Sequence, residues 1–206
     1  MRIAIINLTA GGISGGYKKY LLNILPLLNN SDRVSAVLCA LPRGMNGTSW
    51  FDEKLNKIQF TQCRPYSPFW FQDGNLKKQL DIFHPDIIFV PVEKPFNYAG
   101  VKRISMLQNM APMVNNYNKG SLTEIIRMKL RLYQAKKAMI SADYVIAPSD
   151  FVKNYITEQW HVAQNKISTI YFGADTFEPV VQKPERFAGL PSRSVRLNIT
   201  AGLKTL

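Results

Sequence analysis

Between Gly11 and Gly16 the sequence reads Gly-Gly-Ile-Ser-Gly-Gly, a run so poor in side chains that an anion could lie against its backbone N–H groups. If it joins a strand to a helix, those N–H groups and the positive end of the helix dipole make a phosphate site. It is not a dinucleotide fingerprint: laid on G-x-G-x-x-G, Ile13 or Ser14 takes the place of the middle glycine, and no acidic ribose partner ends the next strand. Nor is it a phosphate-binding P-loop, which would end in Gly-Lys-Ser/Thr. A loop whose glycines merely permit a tight turn explains the same residues. A second group with chemical potential is Glu93, which follows the apolar run Ile87-Ile88-Phe89-Val90. A carboxylate at the C-terminal edge of a parallel sheet stands where ligands bind, although Lys94 beside it also fits a solvated acid. His84 and His161 have no carboxylate or cysteine at nucleophile or metal spacing and read as structural. No metal or other cofactor is expected.

The elements that must position these groups alternate. Ile3 to Asn7 is a β-branched run leading into the glycines, and Tyr20, Leu21, Ile24, Leu25 and Leu28 then recur at helical spacing. Pro26 should kink or end that helix. Strands follow at 34–40 and, more briefly, at 57–61, before a loop around 65–74. Leu76 to Phe83 reads as a short helix, with His84-Pro85-Asp86 leading into the apolar strand at 87–90 and another strand at 101–107. Ser121 with Glu124 makes a capping-box start for a helix reaching Ser141. A strand at 142–147, a helix capped by Ser149 and Asp150 and running to Trp160, and a strand at 166–171 complete the series. Alternation with continuously apolar strands predicts an α/β fold, a Rossmann-like parallel sheet with helices on both faces.

The chain has 206 residues and a formal net charge of +12, a field that attracts nucleic acid, acidic lipid or phosphorylated ligands alike. No helix-turn-helix, aromatic sheet motif or zinc spacing supports nucleic acid, so that partner is not expected. Cys39 and Cys63 are the only cysteines, which suits a reducing cytoplasm. The apolar start is shorter than the roughly 7 to 15 residues of a signal peptide, and no run approaches the ~18 residues of a membrane span.

Three segments carry a resemblance. The strand followed by Gly15-Gly16 and an amphipathic helix, the stretch Leu107-Gln108-Asn109-Met110-Ala111-Pro112-Met113, and the ordered pair Ala142-Asp143-Tyr144-Val145-Ile146-Ala147-Pro148-Ser149-Asp150-Phe151 and Lys166-Ile167-Ser168-Thr169-Ile170-Tyr171-Phe172-Gly173-Ala174-Asp175 are similar to family-4 retaining glycosyltransferases of the GT-B fold. The resemblance implies one half of a two-domain architecture. Residues 1–177 would be the amino-terminal, acceptor-side domain, and 178–206 a linker with the start of a donor domain whose motifs cannot be placed. It implies a nucleotide-sugar donor, with Gly15 and Gly16 near its diphosphate and sugar, and a glycan or lipid-linked hydroxyl acceptor. Family members often carry a histidine in the Asn109 region. Its absence leaves the sugar or acceptor contact to Gln108 or Asn109, with Glu93 a further candidate. Gly173 and Asp175 would mark the interdomain hinge. The chain alone would then be inactive.

The helix from Ser121 carries Arg127, Lys129, Arg131, Lys136 and Lys137 against Glu124 alone, interleaved with apolar residues. Such a helix suits peripheral contact with anionic lipid, at the cytoplasmic face of the membrane; the plainer reading is a solvated basic face on a core-packed helix. The alternative to the whole reading is a flavodoxin-like or receiver-like binding module, for which Asn7-Leu8-Thr9 supplies neither an acidic cluster nor a hydroxyl-rich phosphate loop.

Overall fold

A computed structural model describes residues 1–9, 15–51, 54–67, 73–114 and 121–171. Its seven strands are β1 (Arg2–Ile6), β2 (Ala36–Pro42), β3 (Ile58–Cys63), β4 (Ile87–Val90), β5 (Lys102–Met106), β6 (Tyr144–Ala147) and β7 (Ile167–Thr169). The helices are α1 (Gly15–Asn30), α2 (Gly74–Phe83), α3 (Ala111–Val114), α4 (Leu122–Ser141) and α5 (Asp150–Trp160). The strands pair in parallel throughout, in the order β3-β2-β1-β4-β5-β6-β7. That is the Rossmann-type order. A flavodoxin-like sheet would run 2-1-3-4-5, so the alternative fold reading is set aside.

β1 lies at the centre, with Ile5 opposite Cys39 on one side and Phe89 on the other. Both faces of the central strands are covered, which is why their sequences are continuously apolar rather than alternating. Right-handed crossovers set the layers. The chain steps one way from β1 through α1 to β2, and the opposite way through α2, α4 and α5, which puts α1 on one face and the other three long helices on the other. Tyr17, Leu21 and Leu25, four residues apart, are buried along α1. That packing carries the helix through Pro26 to Asn30; the proline removes one donor but does not end it.

Strand entry is fixed by a repeated device. Asp86 accepts the Arg2 N–H at 2.7 Å while its own N–H donates to the Arg2 carbonyl. Asp143 does the same with Arg103, accepting at 2.8 Å and donating back. Each aspartate thereby pins the entry of the neighbouring strand, at the first residue of β1 and the second of β5, and sets the register of the pair.

Helix starts follow the sequence signals: Ser121 accepts the Glu124 N–H, Ser149 that of Val152, and Asp73 that of Asn75. The Asp73 cap starts α2 at Gly74, ahead of the expected Leu76. His84 and His161 both close helices in the left-handed conformation, with φ of 48° and 57°, a structural role for both. β7 starts one residue late because Gln164–Lys166 forms a 3-10 turn, and it ends at Thr169, short of the expected 171; α3 is an unforeseen turn of helix. Gly173, Asp175 and the segment 178–206 lie outside the described residues.

Candidate functional site

A sheet of this order reverses its winding between β1 and β4, and ligands of such sheets bind in the crevice beyond the C-terminal ends of the strands at that point. The exits of β1, β4 and β5 hold the residues singled out in the sequence.

At the β1 exit Asn7 is 1% exposed. Its Oδ1 accepts both the backbone N–H of Thr9 at 2.9 Å and the Thr9 hydroxyl at 2.7 Å, an Asx turn that aims the chain as it leaves the strand. The Cys63 thiol donates to the Asn7 carbonyl at 3.1 Å, and the Tyr66 N–H donates to the Leu8 carbonyl at 2.9 Å, so the exit of β3 braces this turn. Asn7 Nδ2 is buried with no hydrogen-bond acceptor among the described residues. Asn7 was not among the residues singled out. The available signal was an amide closing an otherwise apolar strand.

Residues 10–14 lie outside the described region, and α1 begins at Gly15. A Cβ at Gly16 would meet nothing within 4 Å. Among the described residues, then, no packing requires glycine at position 16.

Glu93 follows β4, and its Oε1 accepts the backbone N–H of Gln108 at 2.6 Å and of Asn109 at 2.7 Å. Three expected site residues thus form one cluster. Glu93 is not the solvated acid of the plainer sequence reading; it is partly buried and holds the β5 exit loop in place. Burial pushes its carboxyl above the usual value, while the N–H groups of Asn109, Glu93 itself and Gln108 pull it back. The net direction is upward. Asn109 is exposed and Gln108 partly so, with the Gln108 amide also touching the Met106 sulfur at 3.2 Å.

Lys94 turns away from this carboxylate. Its ammonium donates to the buried Gln134 of α4 and stands 5.9 Å over the Tyr66 ring. Burial, and then the neighbouring Arg131, lower its pKa. Lys94 thus ties the β4 exit to α4. On one side of these loops lies a cavity of about 440 Å³, with Leu8, Arg64, Tyr66, Asp73, Asn97 and Arg103 among its lining residues. Arg103 is 9% exposed and its guanidinium donates to the Ser141 carbonyl. Among the described residues no three His, Cys, Asp or Glu side chains gather as metal ligands.

Of the five cations on α4, Arg131 acts on Lys94 at the β4 exit and Lys137 lines the cavity. Arg127 pairs with Glu124 at 3.3 Å, both exposed; among the described residues the other four have no carboxylate within ion-pair distance. No described helix is long and apolar enough to cross a membrane.

The sequence matches the model of Glycosyltransferase Family 4 over residues 14–177. No curated protein matches it. Among solved structures, it is similar to the lipopolysaccharide outer core galactosyltransferase WaaB in its apo form, at 18% identity and a TM-score of 0.53, over 90% of this chain and 50% of that one. Anabaena Alr3699/HepE in complex with UDP-glucose aligns at 16% identity and a TM-score of 0.55, over 85% of this chain and 44% of that one. A glycosyltransferase from Rickettsia africae ESF-5 aligns at 15% identity and a TM-score of 0.51, over 90% and 47%. The chain spans about half the length of these proteins, and the likeness is one of fold: a Rossmann-like half of the GT-B architecture.

Proposed function

Because the chain belongs to glycosyltransferase family 4, we propose that it is the acceptor-side half of a two-domain enzyme. The enzyme moves a sugar from a nucleoside diphosphate sugar to a hydroxyl of a glycan or lipid-linked acceptor, with retention at the anomeric carbon. The observation that carries the reading is the convergence of three strand exits at the winding reversal: the start of α1 at Gly15 and Gly16, the Glu93 carboxylate, and the Gln108-Asn109 loop that it holds.

In this reading the backbone at the α1 N-terminus and its dipole face the charge that develops on the leaving diphosphate. Gln108 and Asn109 orient the transferred sugar or the acceptor hydroxyl, and Glu93 is the positioning residue that fixes their backbone. Orientation of this kind lowers the barrier only if it is maintained to a fraction of an ångström, which two short charge-assisted hydrogen bonds favour. The clamp on the diphosphate and the nucleoside site belong to a second domain, entered near Gly173 and Asp175. The basic residues of α4 place the acceptor side near anionic lipid at the cytoplasmic face of a membrane.

The test is direct. The purified 206-residue chain, incubated with a panel of nucleotide sugars and hydroxyl acceptors, is expected to show neither transfer nor hydrolysis above background. Measurable turnover by this chain alone would overturn its assignment as one half of a cleft.

A further inference from the structure

The connection from β4 to β5, residues 91–101, contains no helix, whereas parallel neighbours are usually joined by one lying on the sheet. A loop takes its place between α2 and α4. It is anchored by the buried Phe96, by Lys94 on Gln134 of α4, and by the Tyr98 hydroxyl, which donates to Asp81 of α2 at 2.7 Å. A loop fills less space than a helix, and the cavity of about 440 Å³ lies there. Leu8, at one end, follows β1, while Arg103 is level with Ala4 through Ile88. From Ala4 to Leu8 is four residues, so the cavity runs on the order of 13 Å along the strands.

Its charge is unbalanced. Arg64, Arg103 and Lys137 line it, and among the described residues the acid beside them is Asp73, whose two oxygens already accept the backbone N–H groups of Arg64 at 2.7 Å and Asn75 at 3.1 Å. Among the described residues none of the three cations has a carboxylate within ion-pair distance. The Arg103 side chain is buried and donates to the Ser141 carbonyl, while its Nε has no acceptor among the described residues. Asp143 accepts the backbone N–H of Arg103 instead. Burying a cation without its counterion is costly, and an anion entering the cavity offsets that cost.

We propose that this cavity binds the acidic group of an anionic saccharide, a sugar bearing a carboxylate or a phosphate, as the acceptor; the proposal rests on the reading of the chain as the acceptor-side half. A guanidinium pairs with either acid through two parallel hydrogen bonds, whereas an uncharged sugar leaves the buried cation uncompensated. Tyr66, Phe96 and Asn97 supply the apolar and amide contacts of a small-molecule site. Lys94, the residue after Glu93, stands over the Tyr66 ring, so an acceptor held by its acid at Arg103 extends along the cavity toward the strand exits.

Titration of the full chain, followed by the NMR signals of its backbone amides, tests the proposal with glucuronic acid, glucose 6-phosphate, glucose and inorganic phosphate as probes. At least one acidic sugar is expected to bind at least about tenfold more tightly than glucose, the factor that one charge-assisted hydrogen bond supplies. The tighter of the two acidic sugars identifies the acid as carboxylate or phosphate. Arg64→Gln with Lys137→Gln, both exposed side chains, should weaken that binding at least about tenfold without lowering the melting temperature. Arg103→Lys, which keeps the charge but loses the fork, should weaken it as well. Lys129→Gln with Lys136→Gln removes the same charge from α4 outside the cavity and should bind as wild type. Glucose bound as tightly as both acidic sugars, no binding of either, or an equal loss in the Lys129 and Lys136 variant overturns the proposal. So does inorganic phosphate bound as tightly as glucose 6-phosphate, which would leave the sugar without a role. These titrations read binding alone: their failure leaves the half-enzyme reading standing, and turnover by the isolated chain, which overturns that reading, would not change them.

Discussion

Glu93 shows how one side chain can be misjudged from its neighbours in sequence. Lys94 beside it suggests a solvated acid, yet the lysine reaches Gln134 and the glutamate accepts two backbone N–H groups from the loop after β5. Glu93→Ala removes the acceptor for both and is expected to cost about 1–3 kcal/mol in urea unfolding. Glu93→Gln retains an acceptor oxygen and should preserve the loop. The pH dependence separates charge from geometry. Burial holds this carboxyl above its ordinary 4.5, so between that value and the folded-state pKa the native state binds more protons than the unfolded one. Stability attributable to Glu93 therefore falls as pH rises through this window and returns on acidification. Glu93→Gln should flatten that part of the stability profile; a profile identical to wild type would refute the assignment. The buried thiols make a second residue-scale case. Burial pushes both Cys39 and Cys63 up to about 12, Cys39 further raised by Cys63 and Cys63 by Asp73. Since thiolate is the reactive form, an aromatic disulfide reagent at about pH 8 is expected to label neither until the chain unfolds. Labelling within the mixing time would contradict their burial.

At the scale of elements, the paired aspartates at strand entry bear most directly on the site. Asp86 ties β1 to the residue before β4, and Asp143 ties β5 to the residue before β6. A register slip of one residue would turn every side chain of the strand to the other face, carrying the exit loops with it. Asp143→Ala leaves the Arg103 N–H without its acceptor and is expected to lower stability by about 1–2 kcal/mol. Asp143→Asn, which keeps an acceptor oxygen, should recover most of the loss. Equal stability of the alanine variant in denaturant titration would show that the carboxylate contributes nothing to strand pairing. α4 illustrates a different point. Its start was legible in Ser121 and Glu124, and its charge in five cations, but which apolar residues face the core was not. Ile126, Leu130 and Tyr133 are as apolar as Leu132 and Met139; the partner surfaces of α3, β5 and α5 decide which of them turn inward.

For the whole molecule, the sequence alone determined the class of fold. Continuously apolar strands alternating with amphipathic helices require a parallel sheet covered on both faces, because no other arrangement buries both sides of such strands. The caps at Ser121 and Ser149, the strand at 87–90 and the family resemblance were legible because they depend on local spacing. The order of the strands was not. Rossmann-type and flavodoxin-like sheets can be written with the same alternating elements, and the choice rests on which strands pair across the central one. Here β1 lies between β2 and β4, and that pairing alone places the exits of β1 and β4 side by side. The Glu93 cluster arose in the same way: fifteen residues separate Glu93 from Gln108, and the parallel pairing of β4 with β5 brings the ends of both strands to one edge. Local sequence determines what each segment becomes, because backbone hydrogen bonds and side-chain periodicity act within a few residues. Tertiary pairing decides which segments meet, and the candidate site exists only where they do.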